Sequence, residues 1–386
     1  MPWNRETIDR SWQLSRGLAA LFLAVSLAAG WWRTSVTVPE ASAMHFADQN
    51  APPATARCAE CHQEKFDSLA TAPHSITLNP GTSPSMQKLF SGLSFRDPVE
   101  ATNTDSFTVE KQRLLRKNSV FPDPLPIDWI FGSGHHARTP VTLRRTAAGE
   151  LELIQHRVSW YPHVGLDLTL GSATEASPTL GWQGLGTRLN PTETAECFGC
   201  HATWLPETDG SPDLDRMIPG VQCARCHLQG TEHLAAMQGG DSNSRMERWS
   251  ELSPLDSIRR CGECHRRDDH FTSRELRSDN PLLIRFAPVG LSQSRCFISQ
   301  SKVAGKIAGQ TQRLDCVTCH DPHRPAETRA EYYVERCLTC HGTQPGQAVR
   351  CSAPNTSAQC IDCHMPKVEV QPHLRFTDHW IRKAGT

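Results

Sequence analysis

The sequence predicts a mainly α-helical, loop-rich fold with one small β-rich insertion, and three observations carry that expectation. The chain of 386 residues has only 38% hydrophobic residues against 27 Pro and 25 Gly, which is thin material for a large apolar core. Fourteen of its 16 Cys and seven of its 18 His are gathered into one pentapeptide, Cys-x-x-Cys-His, written seven times. The stretch 63–196 holds no copy of that pentapeptide and carries most of the period-two patterning in the chain.

The copies are Cys58–Cys61–His62, Cys197–Cys200–His201, Cys223–Cys226–His227, Cys261–Cys264–His265, Cys316–Cys319–His320, Cys337–Cys340–His341 and Cys360–Cys363–His364. Random placement at this composition would give about 0.03 such pentapeptides. Two thiols three positions apart can add to the two vinyl groups of one haem, and the adjacent imidazole then lies beneath the iron. Zinc is the first rival, but a thiolate zinc site has no need of His directly after the second Cys every time. A redox-active dithiol is the second, and it would be expected once rather than seven times. Seven covalent haems c also answer the composition. Each is a large apolar plate, so the fold is expected to be organised around packed haems and the haem-free chain to hold little stable structure.

From the N-terminus, Arg5, Arg10 and Arg16 precede an apolar run over residues 17–32, which reads as an export signal. A cleavage site at Ala41-Ser42-Ala43 lies far from that run, and an uncleaved membrane anchor stays open, so 1–43 is signal peptide or anchor. Export fits a protein whose haems are joined to thiols outside the cytoplasm. It places the chain in a periplasmic or other extracytoplasmic space, with attachment to the inner membrane the alternative. Residues 44–105 hold the first haem motif. Residues 106–190 form the β-rich insertion, with strands expected at Ser106–Lys111, Val141–Arg145, Glu150–Ile154 and Arg157–Tyr161. The Pro-rich segment 121–129 between them cannot be helix. Residues 191–386 form the haem core with motifs two to seven. It opens on Asn190-Pro191-Thr192-Glu193, which reads as N-cap, N1 proline and capping box. A second helix is expected from about Pro325 to Cys340. One motif alone and six crowded suggest one outlying haem near the β-rich insertion.

Seven histidines belong to the motifs, leaving His45, His74, His135, His136, His156, His163, His233, His270, His323, His373 and His379. Those are enough to give every iron a second imidazole, and a six-coordinate iron passes electrons without a vacancy for substrate. His323 and His233 lie three and six residues after motif histidines, where their own porphyrin blocks the opposite face. They are expected to ligate neighbouring haems. His74, His135, His270, His373 and His379 complete a set of seven distal candidates. His45, His156 and His163 read as ordinary histidines, and only one of His135 and His136 is expected to bind. Cys296 and Cys351 are the spare cysteines, either paired in a disulfide or left as two thiols.

The formal charge is −1, and of the 40 basic residues 32 are Arg and 8 are Lys. Arg's planar fork suits the propionates of haem, although codon bias would leave the same mark. Ionised propionates would make the loaded protein acidic, and nothing in the sequence points to nucleic acid as a partner. The ordered segments CAECH with SLATAPHS, FGSGHHARTP, AECFGCHATW, GVQCARCHLQGTEH, APVGLSQSRCF, DCVTCHDPH, DCIDCHMPK and FTDHWIR span about residues 57–382. This set resembles the exported multihaem cytochromes c of the cytochrome c554-like group, with doubled CxxCH motifs. The resemblance implies a bis-His electron-transfer core of closely packed haem pairs, with His74, His135, His233, His323 and His379 in distal positions. Similar folds include hydroxylamine-oxidising and nitrite- or tetrathionate-reducing enzymes. This sequence departs from them in having no CxxCK motif, and only Tyr161, Tyr332 and Tyr333 could crosslink a catalytic haem. Some relatives carry helical repeats after the haem core, and the sequence to Thr386 shows none.

The function expected is single-electron transfer along a heptahaem array, more a carrier than a turnover enzyme. Its partners would be redox proteins, such as a quinol-oxidising or terminal reductase complex, and oligomers stay open. The alternative is a multihaem enzyme with one open haem acting on a small nitrogen or sulfur compound. His136, His156 or His163 would then donate protons. Intact-mass measurement of the purified chain should show the increment of seven haems, and a smaller whole number would remove motifs from the reading.

Overall fold

A computed structural model describes residues 51–52, 54–121, 123–172, 184–300, 313–341 and 359–382. The apolar run 17–32, the candidate cleavage site, His45 and Cys351 lie outside these residues. The architecture is mixed α/β. Five antiparallel strands form one sheet in the order β1 (Leu78–Pro80), β6 (Trp129–Phe131), β7 (Thr139–Arg145), β8 (Leu151–His156) and β11 (Gly186–Leu189). A second sheet runs β2 (Ser94–Arg96), β3 (Thr104–Glu110), β4 (Arg113–Asn118), β5 (Leu125–Pro126), and β9 (Val158–Tyr161) pairs with β10 (Gly165–Leu168).

Each of the four strands expected from the patterning is present within a few residues, because alternation is a local signal. The sheets reach beyond 106–190, since residues 78–80 pair with 129–131 and residues 94–96 with 104–106. Short strand pairs also stand among the haem motifs, β12 (Ala202–Trp204) with β15 (Ile218–Pro219), β13 (Glu207–Thr208) with β14 (Ser211–Pro212), and β16 (Lys367–Gln371) with β17 (Leu374–Thr377). Among the described residues helices and small sheets are therefore mixed, with more strand than the single expected insertion. The physical reason is that a CxxCH motif needs only one helical turn to aim its thiols, so many of its helices stay short.

Two apolar clusters hold the sheet region. One joins Leu78, Val141 and Leu153 of the five-stranded sheet to Phe198 and Ala202 of the second haem motif's segment. The other packs Met86 and Phe90 of helix α2 (Pro84–Phe90) on Phe107, Leu114 and Ile130. Buried charge is paired here. Arg116 Nε donates to Asp105 (2.7 Å) and its guanidinium also reaches the Leu185 carbonyl, while Arg157 Nε donates to Asp97 (2.5 Å). Beyond Cys223 the described residues bury far less. Their buried hydrophobics are Ile258, Leu283, Ile284, Val289, Leu291 and Leu374. The core of that half is a cavity.

The helices there are α3 (Pro191–His201), α4 (Cys223–Cys226), α5 (Gly230–Gln238), α6 (Pro254–His265), α7 (Ala287–Gln293), α8 (Arg295–Gln300), α9 (Cys316–Cys319), α10 (Ala330–His341) and α11 (Cys360–His364), preceded by α1 (Thr55–Ala70). At the start of α3 the Asn190 side chain accepts from Glu193 N (3.0 Å) and the Glu193 carboxylate from Asn190 N (2.8 Å). This is the reciprocal cap expected there. Helix α10 begins five residues later than expected, because the Glu327 carboxylate accepts from the backbone of Thr328 and Arg329 and holds that segment in a turn.

His156, one of the histidines read as ordinary, is fully buried on β8. Its Nε2 lies 2.8 Å from the Thr142 hydroxyl, and its Nδ1 has no partner among the described residues. Burial, then the nearby Arg116, hold its pKa well below the ordinary value. Below about pH 6.5 the unfolded chain therefore binds a proton that the folded one refuses, and stability falls as pH drops, by up to about 1.4 kcal/mol per pH unit. His156→Gln should lose less melting temperature between pH 7 and pH 5 than the parent. An equal loss would show that His156 does not drive the acid sensitivity.

Candidate functional site

Two cysteines at i and i+3 share one helix face, so each motif presents both thiols along one edge with its histidine one step further round. In α3, α6, α10 and α11 the motif occupies the last turn and the histidine ends the helix. In α4 and α9 the thiols span a single turn and the histidine is the C-cap. In α1 the motif lies in the first half, and His62 departs from helical geometry (φ −118°, ψ 42°).

All seven motif histidines line one connected cavity of 4210 Å³, as do all the motif cysteines except Cys197. A pocket for one small ligand is about 300–1,000 Å³, so this space suits several large groups. The motifs follow one another around it. The Cys58 thiol lies beside that of Cys223, Cys200 beside Cys264 and Cys261 beside Cys316, all as free thiols, while Cys226 comes near Cys261, Cys319 near Cys337 and Cys337 near Cys360. The spatial order is thus one, three, four, five, six, seven, with motif two branching at motif four. Motif one is isolated in sequence but not in space. The Thr55 hydroxyl also bonds Gln222 beside motif three. The motif set against the sheet is the second, where Phe131 of β6 stands edge-on to His201 at 4.9 Å.

Four motif histidines each face a histidine from a distant segment. Ring centroids are 6.2 Å apart for His62 and His233, 6.1 Å for His265 and His74, 6.2 Å for His227 and His323, and 6.4 Å for His320 and His379. A metal–nitrogen bond of about 2.0 Å, with about 1.15 Å from that nitrogen to the ring centre, puts two imidazoles trans on one metal about 6.3 Å apart. All four pairs match a shared iron, and the chain's residues fit haem. His323 and His233 each face an iron site other than that of their nearest motif.

The facing histidines are held through their other nitrogen. His233 Nδ1 bonds the Ser244 carbonyl (2.6 Å), His379 that of Thr377 (2.9 Å) and His74 that of Pro322 (3.4 Å). His323 Nδ1 bonds the Asp321 carboxylate (2.8 Å). Among the motif histidines, His201 Nδ1 meets both the Thr77 hydroxyl (2.8 Å) and the Thr77 carbonyl (3.1 Å). Each arrangement leaves Nε2 free for a metal. Backbone approach places some of them. At Gly220 (φ +76°) a Cβ would sit 2.2 Å from the Ser75 carbonyl oxygen, and Val221 N bonds the His74 carbonyl (2.9 Å). Burial lowers the pKa of His201, His227, His320 and His379, and burial followed by His74 takes His265 to about 4. These imidazoles are neutral at pH 7 and keep a lone pair for metal.

His135 and His136 line the same cavity from the loop between β6 and β7. Gly132 (φ +97°) makes that loop possible, since a Cβ there would meet the Ala137 carbonyl oxygen at 2.3 Å. His136 packs on Phe376 of β17 (4.8 Å), next to the seventh motif. His270 and His373 do not line the cavity. His270 sits in a 3-10 turn beside Asp269 (4.0 Å), and His373 takes the left-handed turn position (φ +67°) between β16 and β17, 3.8 Å from Asp167. His163 is likewise outside the lining, at a positive φ of 71°. Cys296 lines the cavity as a free thiol, and its possible partner Cys351 is not among the described residues. Asp321, Thr77 and Phe131 are site residues that pattern reading missed, although Asp321 stands in plain view inside CHDPH.

Residues 175–228, which hold the second and third motifs, match the family model described as cytochrome c554 and c-prime. No curated protein matches the sequence. Among solved structures, the outer cell wall cytochrome OcwA is similar at 13% identity with a TM-score of 0.47, over 86% of this chain and 80% of that one.

The angle between facing imidazole planes is 7° for His227 and His323 and 71° for His265 and His74. Parallel planes separate the two iron d orbitals they overlap, whereas crossed planes leave them close in energy. Electron paramagnetic resonance of oxidised holoprotein should therefore show two low-spin types, one rhombic and one with a very large principal g value. A single uniform low-spin type would contradict these ligand orientations.

Proposed function

We infer that this chain, a cytochrome c554-like multihaem cytochrome with covalent haem c, is an exported heptahaem protein that passes single electrons along its array. The observation that carries the reading is the set of four imidazole pairs at iron-spanning distance around one connected cavity. An iron closed by two imidazoles exchanges electrons without binding substrate. Haem c, when bound, supplies the one-electron couple and an apolar plate. The chain's residues do the rest. Fourteen cysteines would fix the edges, His62, His201, His227, His265, His320, His341 and His364 would hold one face, and His233, His74, His323 and His379 would close the other face at four sites. The loop of His135 and His136 approaches the seventh motif and offers the second ligand for His364's iron.

The division of labour along the chain follows. An export segment lies in 1–43, the sheet region covers one side, and residues 191–386 with motif one form the conducting core. Redox proteins are the partners, reached at the ends of the motif order, and attachment to a membrane would come through the N-terminal segment. Among the described residues His201, His341 and His364 form no such pair, and only His135 and His136 remain in the lining. That observation keeps the enzyme reading as the second one, with one iron open to a small nitrogen or sulfur compound.

Alanine at His74, His233, His323 or His379 should each convert one iron per molecule from low to high spin, and alanine at His270 or His373 should convert none. Retention of every low-spin signal in the first group would remove the pairing. In the parent protein, a high-spin signal that shifts with nitrite, hydroxylamine or cyanide would favour the enzyme over the carrier.

A further inference from the structure

The five cavity histidines whose Nδ1 bonds are described differ in one respect. Three use a backbone carbonyl, of Ser244, Thr377 or Pro322, His201 meets the hydroxyl and carbonyl of Thr77, and His323 alone uses a carboxylate. Asp321 is fixed for this. Its Oδ1 accepts from both His323 N (3.0 Å) and His323 Nδ1 (2.8 Å), while its Oδ2 faces Arg324 Nε (3.0 Å) and Lys65 Nζ (3.7 Å). A carboxylate draws the Nδ1 proton harder than a carbonyl does, so the imidazole gains anionic character and donates more charge through Nε2. Greater donation stabilises ferric over ferrous iron and lowers the potential.

We propose that Asp321 is a positioning and tuning residue that sets the iron between His227 and His323 at the lowest potential of the four paired sites. The proposal rests on the pairing given above. Its consequence is directional. Motif three stands between motif one and motif four through the Cys58–Cys223 and Cys226–Cys261 contacts. The site hardest to reduce thus separates the motif-one end from motifs four to seven, and an electron crossing between them must climb and descend.

The test is a potentiometric titration of holoprotein at pH 7. His323→Ala first identifies the iron, since it should turn that one high-spin. If it turns none, the pairing fails rather than the tuning. Asp321→Asn keeps an oxygen acceptor for His323 and removes the charge. It should raise that iron's reduced-to-oxidised ratio at fixed potential about tenfold, equivalent to about 59 mV for one electron. The iron of His320 and His379 should stay where it was, although Asp321 adjoins His320 in sequence. Should Asp321→Asn lose haem, Arg324→Gln serves instead. It frees carboxylate charge for His323 and should lower the same midpoint. No shift, an equal shift on the His320 iron, or a parent midpoint that is not the lowest of the four would each overturn the proposal.

Discussion

Two imidazoles from distant parts of the chain that face one another across the width of a metal are the constraint on which the described core depends. His62 meets His233, His74 meets His265, His227 meets His323 and His320 meets His379. In an ordinary domain such closures are made by apolar side chains. Here the buried hydrophobics beyond Cys223 are few and scattered, and the space they would fill is the cavity. A metal shared by each pair would be a crosslink that closes a long loop, and closing loops is what limits a chain with little apolar material. The sheet region is the opposite case. It has two apolar clusters, paired buried charges and a buried neutral histidine, and it needs no cofactor to explain its packing.

The segment 320–323 concentrates the construction. His320 holds one iron site from a motif, His323 faces that of motif three, and the Pro322 carbonyl bonds Nδ1 of His74, which faces that of motif four. Four consecutive residues thereby touch three sites. Spacing makes this possible, because an extended backbone after a one-turn helix carries His323 away from the porphyrin attached at Cys316 and Cys319. The C-cap His320 has φ −124° and ψ 130°, so the chain leaves α9 as extended backbone. A continued helix would have brought His323 back over the same motif.

Local signals were legible in the sequence and tertiary ones were not. The thiol spacing, the capping box at Asn190 and the four central strands all depend on residues within a few positions of one another, and each is where patterning puts it. The sideways reach of His233 and His323 was also legible, since steric exclusion by their own motif is local. Which iron each would meet was not, because those partners come from sequence positions far away. Isolation of motif one in the sequence misled for the same reason, as the proximity of Cys58 to Cys223 joins segments far apart in the chain. His270 and His373 are a different case: residue type marked them as ligands, and neither lines the cavity.

The same burial bears on how the protein is made. Burial pushes the thiols of Cys197, Cys226 and Cys319 up to about 11. A thiol adds to a vinyl group as its thiolate, so in the folded arrangement these sulfurs would be poor nucleophiles at neutral pH. Cys264 is the opposite case, held down to about 7 by its contact with Cys200 and by Arg225. Where burial raises a thiol, attachment would be easier on the chain before it folds, which agrees with a core whose volume would be supplied by the groups it binds.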